Sequence, residues 1–290
     1  MKDITIEEKG RAKINLALHV TGVRADGYHV LDSIVIFTDI FDSLVIKKDS
    51  KPGISFTGKF SSLLDAKKNS IIQVSKLFEN APLNGFYIRI EKNLPVGAGL
   101  GGGSADAAAI IRFITNYLKY PMPSNEDISK IGADIPACVL SVASRVGGIG
   151  ETVRPIDISA IDLWIVLVNP HIFVSTRSIF EDVIKKHNEP LEFFDHFSGN
   201  NHFIEYLKRQ RNDLQTIAVN KWPEIKKVLH TIEKTEGVLL SRMSGSGSTC
   251  FGLYKNQEIA KKAVDFINKQ NTGWCCNKSF IDNPICITGM

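Results

Sequence analysis

Lys13 and Asn15 stand two residues apart in the run Lys13-Ile14-Asn15-Leu16, so in a strand both would project from one face. An ammonium beside an amide can hold an oxyanion or a hydroxyl; the same spacing also suits an ordinary exposed strand face. Asp134 lies in Gly132-Ala133-Asp134-Ile135-Pro136, at or just beyond the end of a short helix that Ser124 opens. A carboxylate in a turn closed by proline can act as a general base or metal ligand, or simply form the turn. Asp26-Gly27 is a turn signature that delivers Tyr28 and His29 in succession. Tyrosine can stack on a base and imidazole can bond a heterocycle edge, although both also fit half-buried places after a turn.

The densest signal is Pro95-Val96-Gly97-Ala98-Gly99-Leu100-Gly101-Gly102-Gly103-Ser104, with five glycines in seven residues. A strand over Phe86–Ile90 precedes it, and a helix over Ala107–Leu118, capped by Ser104, follows. Strand, glycine loop and helix N-terminus together make an anion site, because close-approaching backbone N–H groups and the helix dipole attract phosphate. The Walker A loop is excluded, since no lysine stands between Gly103 and Ser104. The spacing Gly97-x-Gly99-x-x-Gly102 matches the dinucleotide fingerprint in letters. About 20 residues on, however, comes a helix end and Pro121 rather than a strand ending in a carboxylate. A glycine-rich turn without a ligand is the remaining alternative. Asp106 is expected on the outer face of the helix, complementing its dipole rather than holding a metal. A second glycine loop, Met243-Ser244-Gly245-Ser246-Gly247-Ser248-Thr249, connects two strands; it is either a hairpin turn or a further phosphate- or substrate-closing loop.

The elements that would position these groups can be read from apolar periodicity. Strands are expected at Ala12–Val20, Leu31–Ile36, Ser43–Lys47, Leu163–Val168, Val238–Arg242, Thr249–Tyr254 and Ser279–Ile281. Helices are expected at Asn69–Glu79, Ser178–Lys186, Phe203–Lys208, Trp222–Lys234 and Glu258–Lys269. The glycines near 147–150, then Pro155, suit a domain junction. Helices on mostly antiparallel strands point to an α+β fold.

The chain has 290 residues, 43% hydrophobic and 23% charged, which is enough for one large or two ordinary domains. A net charge of +4, dispersed along the chain, argues against a nucleic-acid partner. No apolar run reaches the length of a membrane span, and the N-terminus lacks the apolar core of a signal peptide, so a cytoplasmic protein is expected. The five cysteines, Cys138, Cys250, Cys275, Cys276 and Cys286, lack zinc spacing and are expected to be reduced and mostly buried.

Pro95-x-x-x-Gly99-Leu100-Gly101-x-x-Ser104-Ala105 resembles the phosphate loop of the GHMP kinases. Lys13-Ile14-Asn15-Leu16, Gly132-Ala133-Asp134-Ile135-Pro136, Asn212-Asp213-Leu214 and Met243-Ser244-Gly245-Ser246-Gly247 extend the resemblance over most of the chain. Gly22-x-Arg24-x-Asp26-Gly27-Tyr28-His29 selects the branch of the family that acts on a cytidine diphosphate-linked substrate. The resemblance implies two domains: residues 1–158, ATP-binding and like ribosomal protein S5 domain 2, and residues 159–290, ferredoxin-like. It implies ATP-dependent phosphorylation, with Mg²⁺, of the 2-hydroxyl of a cytidine diphosphate-linked methylerythritol in non-mevalonate isoprenoid synthesis. Asp134 would take the hydroxyl proton and Lys13 would steady both groups. Asn15 would position the methylerythritol, with Thr176, Gly245 and Ser246 as further substrate contacts. His29 would read cytosine between the rings of Tyr28 and Phe180. ATP would lie on Pro95, Gly97, Gly99, Leu100, Gly101, Gly102, Gly103 and Ser104, with Asn69 and Lys92 near the adenine. The metal ligands stay unassigned, Ser104 being one candidate. Two departures are expected to matter: a short helix before Asp134, and Arg177 in the pocket wall beside Phe180. The alternatives are another GHMP kinase of mevalonate or homoserine type, which Tyr28 and His29 oppose, and a silent nucleotide-binding protein, which Lys13 and Asp134 oppose.

Overall fold

The computed structural model describes residues 5–63, 70–80, 82–271 and 273–282. Its first half opens with two long strands, β1 (Thr5–Val23) and β2 (His29–Lys48), paired antiparallel through the Asp26-Gly27 turn. Then follow β3 (Gly53–Thr57), α1 (Ser70–Ser75), β4 (Phe86–Glu91) and α2 (Gly102–Arg112). Two short helices, α3 (Asn125–Ile131) and α4 (Ile135–Leu140), lead to the hairpin β5 (Ser144–Gly148) and β6 (Thr152–Pro155). The second half runs β7 (Trp164–Asn169), α5 (Thr176–Glu181), α6 (Asn200–Arg209), α7 (Gln215–Lys221) and α8 (Pro223–Glu233). It closes with β8 (Val238–Met243), β9 (Cys250–Tyr254), α9 (Gln257–Gln270) and β10 (Cys275–Asp282).

Along the sheet the order is β3-β4-β2-β10-β7-β9-β8, with β1 and β5 also on β2. Among the described strands every pairing is antiparallel except β3 with β4. β10-β7-β9-β8, with α8 and α9 as crossovers, is the ferredoxin-like half. β10 also reaches β2, Ile281 opposite Thr38, so one strand joins the two halves. The α+β class and the ferredoxin-like second half expected from sequence are what the chain adopts.

The expected strands Leu31–Ile36 and Ser43–Lys47 are one strand: Thr38, Asp39 and Asp42 interrupt the apolar pattern, and the pairing with β1 shifts register over 38–40, but the strand runs on through them. Register shifts after Arg11, Asn15 and Val20 bend β1, so it follows β2 over nearly its whole length. Residues 12–20 are all buried, and three of them are polar: Lys13, Asn15 and His19. Buried polar groups need partners, which makes this strand the first place to look for chemistry.

Several helix expectations are corrected. Ser104 does not cap α2. The helix begins earlier, at Gly102, behind a left-handed Gly101 (φ 66), and no side chain caps it. The regular helix ends at Arg112, and a wider turn over Phe113–Tyr117 replaces the expected run to Leu118. α1 and α5 are shorter than their apolar periodicity suggests, and the stretch 144–155 is a hairpin. The helix before Asp134 is short, as expected, at 7 residues. Cys138 and Cys250 are buried and Cys275 and Cys276 half-buried, all four unbridged; Cys286 lies outside the described residues.

Candidate active site

A cavity of about 510 Å³ opens between the halves, and the glycine loop forms much of its wall. Lys13 and Asn15 enter it from β1, as period-two alternation requires. Asp134 comes from the turn at the head of α4. The Lys13 ammonium donates to Asp134 Oδ1 at 2.6 Å, with Lys13 buried and the Asp134 side chain 41% exposed. The carboxylate thus has one oxygen fixed and its outer face open. Its Oδ2 lies beside the glycine loop: a Cβ placed on Gly101 would meet it at 3.5 Å and Lys13 Cβ at 3.4 Å. The Lys13 N–H also donates to Leu100 C=O at 3.0 Å, so the strand bearing the lysine grips the loop.

Asn15 Nδ2 donates to Ser33 Oγ at 2.8 Å, and Ser33 in turn donates to Ala17 C=O at 2.6 Å. Asn15 Oδ1 is buried with no hydrogen-bond partner. The two glycine loops meet here. Ser244 Oγ donates to Gly99 C=O at 2.8 Å and accepts from Asn15 N–H at 3.1 Å, while Thr249 N–H donates to Ala98 C=O at 3.0 Å. The second loop is held from below by Asn212, whose amide donates to Met243 C=O and Gly245 C=O at 2.8 Å each. The Asn212-Asp213-Leu214 motif therefore shapes a loop that lines the cavity. Gly245, Ser246 and Thr176 lie on that wall, with Thr176 Oγ1 and Ser246 Oγ 2.9 Å apart.

Of the residues expected at ATP, Lys92, Pro95, Gly97, Gly99, Gly101, Gly102, Gly103 and Ser104 line the cavity. Leu100 does not; its side chain is buried in the core beneath, and only its carbonyl serves the site. Asn69 lies outside the described residues. At the far end Phe180 lines the cavity, with the His29 ring 5.1 Å away and tilted by 32°. Burial first, then the charge of Lys186, holds His29 below its ordinary 6.5, and its buried Nε2 has no partner. Tyr28 is exposed at the hairpin tip, apart from the contact between those two rings. Arg177 does not disturb this wall: it is exposed and pairs with Glu181.

The expectation for Asp106 is wrong. It is buried, not on an outer face, and with Asp42 it receives the Lys92 ammonium. Helical periodicity puts it outside only if α2 keeps one polar side, whereas β1 covers that side. Burial would lower the Lys92 pKa, but Asp106 and Asp42 outweigh it and raise it; burial, opposed by Lys92, pushes Asp106 up to about 7. Asp42 was missed altogether, although a carboxylate within an apolar strand is a visible signal. Phe173 was missed without any such signal. Its ring lies against the glycine loop, 2.4 Å from where a Gly97 Cβ would stand.

The family pattern for the GHMP kinases N terminal domain matches residues 69–150, and that for the GHMP kinases C terminal matches residues 202–272. The chain belongs to the GHMP kinases, which are ATP-dependent small-molecule kinases. Among its relatives is 4-diphosphocytidyl-2-C-methyl-D-erythritol kinase of Cereibacter sphaeroides, 37% identical over 92% of this chain and 96% of that one. The enzyme of the same name from Ruegeria pomeroyi is 39% identical over 94% and 98%. A crystal structure of 4-(cytidine 5'-diphospho)-2C-methyl-D-erythritol kinase superposes with a TM-score of 0.71 at 26% identity, covering 96% of this chain and all (100%) of the other. Among the described residues no helix is long and apolar enough to cross a membrane.

Proposed function

We propose that this kinase moves the γ-phosphoryl group of ATP to the 2-hydroxyl of 4-diphosphocytidyl-2-C-methyl-D-erythritol. The observation that carries the reading is the Lys13–Asp134 pair, at 2.6 Å, facing the glycine loop. The acceptor hydroxyl lies between the open Asp134 oxygen and the γ-phosphate. As its oxygen bonds to phosphorus, its proton passes to Asp134, the bond from phosphorus to the β,γ-bridging oxygen breaks, and ADP leaves. Such a transfer asks mainly for positioning and charge neutralisation, which the loop amides and Lys13 supply. Asn15 orients the methylerythritol through its free Oδ1, with Thr176, Gly245 and Ser246 beside it. The cytosine lies against Phe180, with His29 at its edge and Tyr28 closing from the hairpin tip.

Mg²⁺ fits as a companion of ATP rather than as a resident ion. Among the described residues there is no group of three or more His, Cys, Asp or Glu able to cage a metal. Mg²⁺ commonly takes phosphate oxygens and water with few protein ligands, and the Ser104 hydroxyl on the loop is the neutral oxygen at hand. When bound, it would neutralise phosphate charge. A charged nucleotide substrate also fits a cytoplasmic place of work.

Two outcomes check the cytidine end. Phe180→Ala should raise KM for the cytidyl substrate roughly tenfold, since stacking on a base contributes about 1–3 kcal/mol, with kcat little changed. An unchanged KM would remove Phe180 from the substrate site. His29, held neutral by burial, should titrate in an NMR experiment with a midpoint below 6.5, the assignment made with His29→Gln. The reaction itself is tested by ADP release with the cytidyl substrate beside mevalonate and homoserine. Turnover of either of the latter, and not of the former, would show that the acceptor is misassigned.

A further inference from the structure

Three charged side chains lie buried directly beneath the glycine loop: Asp42 on β2, Lys92 just after β4, and Asp106 in the first turns of α2. Asp42 divides its oxygens. Oδ1 accepts the N–H groups of Asn93 at 2.6 Å and Leu94 at 2.8 Å, and Oδ2 takes the Lys92 ammonium. The same ammonium reaches Asp106 Oδ2. Asn93 and Leu94 lead into the loop; Asp106 belongs to the helix that leaves it. One nitrogen thus joins both ends of the loop. Lys92 is itself anchored through its backbone, donating its N–H to Thr57 C=O at 2.8 Å and accepting Phe60 N–H at 3.3 Å.

The space around the cluster is shaped to it. A Cβ at Gly10 would stand 2.7 Å from Asp106 Oδ1, so β1 carries glycine where the carboxylate abuts. A Cβ at Gly102 would stand 3.6 Å from Asp42 Oδ2, which places the cluster under the loop's last turn. Buried ion groups contribute little net stability and are often replaced by apolar residues without loss. Their presence beneath the loop calls for a geometric reason.

We propose that Asp42, Lys92 and Asp106 form an ionic clasp that sets the width of the phosphate loop, making all three positioning residues for ATP. The inference rests on the reading that ATP phosphates lie on this loop. The clasp holds the two ends of the loop at a fixed separation, so the amides between them face one anion rather than splaying. It acts on the nucleotide and not on the cytidyl end, where Phe180 belongs to α5 and His29 opens β2 well before Asp42.

The test is the neutral, near-isosteric triple variant Asp42→Asn/Lys92→Met/Asp106→Asn in the full-length chain. Its melting temperature and its dissociation constants for ATP and for cytidine diphosphate would be measured by calorimetry beside wild type. We expect ATP binding to weaken at least tenfold, with cytidine diphosphate binding changed less than twofold. Unchanged ATP binding overturns the clasp, as does an equal loss of both ligands, which marks a merely structural cluster. Should the triple fail to fold, Asp106→Asn alone is measured in the same way: selective loss of ATP binding supports the clasp, and no loss or an equal loss of both ligands overturns it. Wild type that binds cytidine diphosphate but not ATP would instead remove the reading of the loop on which the clasp depends.

Discussion

Asp134→Asn should lower kcat by about 10²- to 10⁴-fold, the usual contribution of a positioned acid or base. The substitution keeps the size of the side chain and an oxygen to accept from Lys13, whose ammonium lies 2.6 Å from Oδ1 in the wild type. The geometry is therefore retained, and the loss reports the negative charge and the proton-accepting oxygen. KM for the cytidyl substrate should move far less than kcat, because Phe180 and His29, which we assign to the cytosine, are untouched. The measurement is ADP release against substrate concentration for both proteins. Wild-type kcat in the variant would exclude Asp134 from the mechanism while leaving the kinase assignment standing. A loss at the low end of the range would indicate that orienting the hydroxyl matters more than removing its proton, as a loose transition state allows.

Gly99→Ala should be the most destabilising single change in the loop. Gly99 has φ +74, a conformation in which a side chain costs about 1–2 kcal/mol. Its Cβ would also stand 2.3 Å from Ser244 C=O and 2.9 Å from Gly247 C=O. Both obstacles are backbone, so neither can swing aside as a side-chain tip would. Forcing the two glycine loops apart adds roughly 1–3 kcal/mol. It also strains the bond from Ser244 Oγ to Gly99 C=O, at 2.8 Å. The expected total, about 2–5 kcal/mol, should appear as a drop of several degrees in Tm together with weaker ATP binding. Gly103→Ala is the control: a Cβ there meets nothing within 4 Å, and its Tm should not fall below wild type. Equal Tm for all three proteins would mean that the two loops do not bear on each other.

Much of this arrangement could be read from the residues in order. The loop from Pro95 to Ser104 stands out because glycine is costly where it has no task, and the strand before it carries the expected apolar and β-branched residues. Lys13 and Asn15 face one cavity because a strand alternates, a rule that holds however the rest of the chain folds. What failed were inferences in which tertiary contact decides the outcome. Ser104 has the side chain of a cap, but the left-handed Gly101 starts the helix earlier and leaves the serine inside the first turn. Asp106 has the charge of a surface residue, but β1 lies across that side of α2 and Lys92 receives it. Asp42 has the charge of a strand end, yet it lies within a strand. Arg242 reads as an ordinary strand residue; it is buried, donating to the carbonyls of Leu16 at 2.6 Å, Leu207 at 2.9 Å and Gln210 at 2.7 Å. Burial holds its guanidinium pKa down to about 10. Nothing local distinguishes Asp106 and Arg242 from solvated residues, because their partners lie tens to hundreds of positions away.

β10 bonds to β7 on one side and to β2 on the other. Residues 275–282 therefore complete the sheet that runs through both halves, which also meet where Ser244 and Thr249 bond to the first glycine loop. On a ribosome, the segment with the glycine loop can gather its own core early, whereas the sheet across both halves is completed only once β10 has left the exit tunnel. Nascent chains halted before this strand emerges should hold a formed first half and an ill-defined cleft. The capacity to bind both substrates together would then arrive late and all at once, rather than growing with the chain.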